Sequence, residues 1–105
     1  MKNYLLDMYP KLGDNTNYMK YEVVIKRKVL KGLPKLPLWV QKNLFLLIQD
    51  LENKGPEQPI WKNYSKLGKI EYHCHLGISW VACWRYLKPT IIEVYYAGSR
   101  EKAPY

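Results

Sequence analysis

Apolar and polar positions fall into stretches of different period along the chain. Tyr21 to Lys26 alternates, with Tyr21, Val23 and Ile25 on one side, which predicts a strand. Val29, Leu30 and Leu33 fit a short helix that Gly32 and Pro34 bring to an end. The strongest helical signal comes next. Val40, Leu44, Leu47, Ile48 and Leu51 form one stripe at helical spacing. Pro37 suits the first helical position, and Gly55-Pro56 closes the helix. With Lys35-Leu36-Pro37 between them, the two helices read as a hairpin.

Residues 1–18 show no clear period and carry Tyr9-Pro10 and Gly13-Asp14-Asn15-Thr16-Asn17, so an N-terminal arm is expected before a single domain over 19–105. Gly55 to Gly68 reads as loop, with Trp61 and Tyr64 turned inward. Beyond it the period becomes two. Ile70, Tyr72, Cys74 and Leu76 share one face of a strand, and Lys69, Glu71, His73 and His75 share the other. Ser79 to Tyr86 and Thr90 to Tyr96 predict two further strands, with turns at Gly77 and at Leu87-Lys88-Pro89. The fold class is therefore α+β: an N-terminal strand, a two-helix hairpin, then a three-stranded antiparallel meander with the helices on one sheet face.

Composition adds a constraint and a clue. Hydrophobic residues make up 48% of the 105 positions, enough for a core and too many for a disordered tail. No apolar run approaches the ~20 residues of a membrane helix, and two cysteines make no disulfide framework. A cytoplasmic protein without a membrane partner is expected. Seventeen Lys and Arg against nine Asp and Glu give a net charge of +8, which points to a polyanionic partner. Seven of the cations lie between Lys20 and Lys42, with Glu22 as the one acid there. They make either a solvated helix face or a docking surface for phosphates. Four Trp and ten Tyr against one Phe favour rings that can stack while half exposed. A small core filled by large residues explains the same choice.

Candidate chemistry gathers on the polar face of the meander. A two-residue turn at Gly77-Ile78 pairs His75 with Trp80, His73 with Ala82 and Glu71 with Trp84. His73, His75, Glu71, Lys69, Trp80 and Trp84 then share the open face, while Cys74 and Cys83 fall on the core side as buried thiols. Cations there would hold phosphates and rings would stack bases. His73 and His75 are the two histidines of the chain, and an imidazole exchanges protons near neutral pH. Two solvated strand histidines are the bland reading. A metal held by the pair with Glu71 is another, but no further ligand stands at a recognisable spacing. Arg100 follows the last strand, where a guanidinium can fork onto a phosphate, and Lys102 and Tyr105 lie within reach.

The order of elements, together with Tyr72-His73-Cys74-His75, Trp80-Val81-Ala82-Cys83-Trp84-Arg85 and the stretch from Glu93 through Gly98-Ser99-Arg100 to Tyr105, resembles the RelE/ParE toxin superfamily over residues 21–105. The RelE-type branch is the nearer likeness. The resemblance implies the toxin of a type II toxin–antitoxin pair, an mRNA interferase that cuts mRNA at the ribosome and is silenced by a cognate antitoxin. It implies a metal-independent, cofactor-free reaction. His73 and His75 serve as acid and base, Arg100 as phosphate ligand, and Tyr105 orients the base or nucleophile. Trp80, Trp84, Arg85, Lys69 and Lys102 are the expected RNA-binding residues. Many relatives carry an Arg where this chain has Trp80, so either Arg85 or a lysine supplies that charge or the site works with fewer cations. A ParE-like gyrase inhibitor and a non-catalytic antitoxin- or RNA-binding module are the alternatives.

Overall fold

Burial of one helical stripe against one sheet face organises residues 20–105, which are those described by the structure, a computed structural model. The arm expected over 1–18 lies outside the described residues. Strand β1 (Glu22–Ile25) buries Val23 and Ile25, as its alternation requires. Helix α1 (Arg27–Gly32) buries Val29, and a single turn of tighter helix, Leu33–Lys35, ends it with Pro34 in the first turn. Helix α2 (Leu38–Lys54) buries Val40, Leu44, Leu47, Ile48 and Leu51, the stripe legible in the sequence. Each such side chain contributes about 1.5–3 kcal/mol on leaving water. Pro37 caps this helix rather than opening it. Gly55 ends it at φ 95°, its N–H bonded to Leu51 O (3.0 Å). A side chain there would strain the backbone and put its Cβ 2.8 Å from the Tyr21 ring.

Strands β2 (Ser65–Lys66), β3 (Glu71–Gly77), β4 (Trp80–Leu87) and β5 (Ile91–Ser99) complete one sheet, in the order β1-β5-β4-β3-β2. β1 runs parallel to β5, and the other pairs are antiparallel. The fold is α+β, with the expected strand, helical hairpin and meander. The stretch read as loop also holds β2, a two-residue edge strand on His73 and Tyr72. Two residues are too few to show a period. Trp61 and Tyr64 do pack inward on the core, and the Trp61 indole N–H donates to Asp50 Oδ2 (2.8 Å).

The β3–β4 register differs from the sequence expectation by one residue. The turn is Ile78-Ser79, so Tyr72 pairs Trp84, His73 pairs Cys83, Cys74 pairs Ala82 and Glu71 pairs Arg85. A one-residue slip turns every β4 side chain to the opposite face. Trp84 therefore lies in the core at 0% exposure, beside Tyr64 and Tyr72, and its indole N–H donates to Pro56 O (2.9 Å). It is not on the open face. Trp80 follows the same phase and packs on the edge of the core. Val81, Cys83 and Arg85 take the positions expected of Trp80, Ala82 and Trp84. Cys74 is in the core as expected, whereas Cys83, also buried, belongs to the opposite face.

A second irregularity shapes that face. Cys83 pairs Tyr96 and Trp84 pairs Val94, leaving Tyr95 as an extra residue in β5. Such a bulge re-aims the side chains after it. Ile92 and Val94 join the core, while Tyr95 and Tyr96 both reach the open side.

Candidate functional site

His73 and His75 stand on β3 with ring centroids 5.8 Å apart. The period of two puts both on the sheet face away from the helices. His73 is 8% exposed. Ser65 Oγ on β2 shares a hydrogen bond with its Nδ1 (3.0 Å), and the Tyr105 ring lies on it with centroids 4.6 Å apart. The short edge strand thus fixes one side of the imidazole and the segment after β5 covers another. His75 is half buried, and its backbone N–H donates to Lys62 O (2.8 Å), which holds the loop before β2 alongside β3.

Both imidazoles titrate below their ordinary value. Burial is the first cause for each. The His75 charge adds to it at His73, against an opposing hydrogen bond from Ser65. At His75 the charges of Arg100 and Lys62 add to it. Arg100 therefore stands close enough to act on His75 through space. A turn of tighter helix, Arg100–Lys102, places it directly after β5, and its backbone N–H donates to Ser79 O (2.8 Å). Burial and the neighbouring Cys83 raise the Tyr105 phenol, with Arg100 pulling the other way. Tyr105 thus stays a protonated hydrogen-bond donor at neutral pH. Burial pushes the Cys83 thiol up to about 12, so it is no nucleophile near neutrality.

The structure brings His73, His75 and Tyr105 to one patch, and Arg100 acts on His75 and Tyr105 by its charge from the turn beside it. Trp80 borders it from the end of the sheet, lining a recess of about 550 Å³ with Ser79, Ser99, Arg100 and Glu101. Arg85 lies farther along the open face between two carboxylates, 3.2 Å from Glu93 and 3.7 Å from Glu71, with its guanidinium 4.0 Å above the Tyr95 ring. Glu71, the third ligand of the metal alternative, is thus an ion-pair partner. Among the described residues no group of three or more His, Cys, Asp or Glu is placed to hold a metal ion. Lys102 is exposed in the turn after β5, and Lys69 is exposed ahead of β3 rather than within it. Trp84 is absent from the patch. Lys62 and Ser65 border the histidines without having been expected. Only long-range pairing brings them there, and the local pattern carries no trace of it.

No protein-family model matches the sequence, and no curated protein matches it. Two solved structures share the fold. A chain of the archaeal RelE–RelB complex from Pyrococcus horikoshii OT3 superposes with a TM-score of 0.61 at 20% identity, covering 81% of this chain and 100% of that one. The YoeB dimer from Staphylococcus aureus gives a TM-score of 0.63 at 9% identity, covering 77% and 98%. The likeness is one of fold: this chain has the RelE- and YoeB-like architecture. Among the described residues no helix is long and apolar enough to cross a membrane.

Proposed function

We propose that the chain is the toxin of a type II toxin–antitoxin pair, an endoribonuclease that cuts mRNA at the ribosome in the cytoplasm. The observation that carries this reading is the contact of His73 with both His75 and Tyr105 on one sheet face, with the Arg100 charge acting on His75 from the turn after β5. A ribose 2′-hydroxyl attacks the adjacent phosphorus. The new O2′–P bond forms as the P–O5′ bond breaks. One imidazole takes the 2′ proton and the other, protonated, gives a proton to the leaving 5′ oxygen. Each transfer contributes about 10²–10⁴-fold. Arg100 offers charge-assisted donors to phosphoryl oxygens that grow more negative in the transition state. Tyr105 holds the His73 ring in place. The products are a 2′,3′-cyclic phosphate and a 5′-hydroxyl.

The lowered imidazole pKa values suit this division. Free, both rings are neutral near pH 7 and ready as bases. A bound phosphodiester brings negative charge that raises both, so one ring can carry the proton the acid role needs.

The partner follows from charge and from the fold. One similar structure was solved as a RelE–RelB complex. We infer a cognate antitoxin with an acidic or amphipathic segment that covers the cationic surface of this chain, whose net charge is +8.

Induced expression tests the reading. His73→Ala, His75→Ala and Arg100→Ala are each expected to relieve growth arrest and abolish transcript cleavage, with circular dichroism and melting unchanged. Three variants that stay toxic would remove the nuclease. Arrest by the wild type with intact transcripts would favour a gyrase inhibitor instead.

A further inference from the structure

We propose that a groove beside this patch, lined by Lys26, Lys28, Arg85, Tyr96, Lys102 and Pro104, holds an RNA nucleotide next to the scissile one. The proposal rests on the nuclease reading. It arises from the unequal lengths of two strands. β1 ends at Ile25 opposite Val94, and the Lys26 N–H makes a last bond to Val94 O (3.0 Å). β5 continues through Tyr95 to Ser99 with no strand on that side among the described residues. The chain turns into α1 at Arg27, which leaves Lys26 and Lys28 beside Tyr95–Ala97. Lys102 and Pro104 close the other wall. The space enclosed is about 530 Å³, within the ordinary range for a small-ligand site.

Charge and shape name the occupant. Four cations line this groove against one carboxylate, Glu71, and that carboxylate faces Arg85. Among the described residues the ion pairs in this region belong to Arg85, so there the amines of Lys26, Lys28 and Lys102 remain for an anion. Arg85 covers one face of the Tyr95 ring. Tyr96 is half buried, its hydroxyl donating to Ser99 O (2.6 Å), which fixes the ring beside the lysines. Amines for a phosphate next to a held aromatic ring match the backbone and base of a single-stranded nucleotide. Continuity decides between RNA and an acidic peptide. Pro104 lines the groove, and the next residue, Tyr105, lies on His73. A strand whose scissile phosphate sits at the imidazoles therefore runs into the groove.

Fluorescence anisotropy with 2′-O-methyl oligoribonucleotides of increasing length tests this, since the blocked 2′ oxygen prevents cleavage. Lys26→Ala/Lys28→Ala is compared with Lys31→Ala/Lys35→Ala, which removes the same charge elsewhere on the helical hairpin. Losing two phosphate contacts is expected to reduce the slope of log Kd against log salt by about 1.4. The loss should appear only with oligonucleotides long enough to pass the scissile position, and the control pair should keep the wild-type slope. Equal losses in both pairs, or a full slope in the groove variant, would overturn the assignment while leaving the nuclease in place. So would a groove variant that keeps RNA binding but loses a polyglutamate peptide. A wild type that neither binds nor cuts RNA would remove both readings.

Discussion

The imidazole of His73 lies against the ring of Tyr105, centroids 4.6 Å apart and planes inclined by 54°. Ser65 holds the same imidazole at Nδ1 (3.0 Å). The ring is thus fixed by an edge strand and by the segment after β5. Tyr105→Ala is expected to lower RNA cleavage by about 10²-fold, the scale of a small misplacement of a reacting group. Tyr105→Phe keeps the ring and should keep most of the rate. Steady-state cleavage of a model transcript by the two variants checks this. Equal loss in both would mean that the hydroxyl, not the ring packing, carries the effect.

The histidines also make stability depend on pH. In the folded chain both titrate below the ordinary 6.5, chiefly because they are buried. As pH falls through 6.5, the unfolded chain takes up protons that the folded chain still refuses. The contribution to stability is therefore full above that value and is lost towards the lower folded pKa values. Urea melts across this window should show the decline, and His73→Gln with His75→Gln should flatten it. Ring resonances followed by NMR should have midpoints below 6.5, rising when an uncleavable oligonucleotide is added. A free-state His73 midpoint at or above the ordinary value would contradict the burial argument.

Trp84 belongs to folding rather than to RNA. It is fully buried beside Tyr72 and Tyr64, with its N–H satisfied by Pro56. Trp84→Ala should destabilise by about 3–5 kcal/mol. Trp84→Phe should cost less and leave RNA affinity unchanged. Anisotropy on the folded Phe variant separates the roles, since a stacking tryptophan would lose affinity there.

Gly55 caps the end of α2. Its φ of 95° and the Tyr21 ring 2.8 Å from a would-be Cβ leave no room for alanine. Gly55→Ala should destabilise by more than about 1 kcal/mol. Denaturant midpoints read this directly, and a neutral substitution would mean that the turn relaxes freely.

Much of the architecture was legible because it rests on local period. The α2 stripe from Val40 to Leu51 and the alternation through Tyr72, Cys74 and Leu76 each declare a face, and both faces are buried. The shared face of His73 and His75 follows from the same rule, as does the position of Arg100 after the last strand. What failed was pairing between strands. The sequence does not say whether the β3–β4 turn is Gly77-Ile78 or Ile78-Ser79, and that choice decides whether Trp84 or Arg85 faces outward. The bulge at Tyr95 and the two-residue β2 are likewise long-range outcomes. They place Tyr96, Ser65 and Lys62, residues that no local pattern marks.

The central claim is that a ribose hydroxyl of the substrate is the nucleophile and that this patch activates it. A single 2′-deoxy substitution at the cleaved position of an otherwise all-ribose oligonucleotide tests it most directly, with product ends identified by mass. The account predicts a 2′,3′-cyclic phosphate and a 5′-hydroxyl from the ribose substrate, and no cut at the substituted position. Cleavage of the deoxy substrate at that bond, or products bearing a 3′-hydroxyl and a 5′-phosphate, would contradict it.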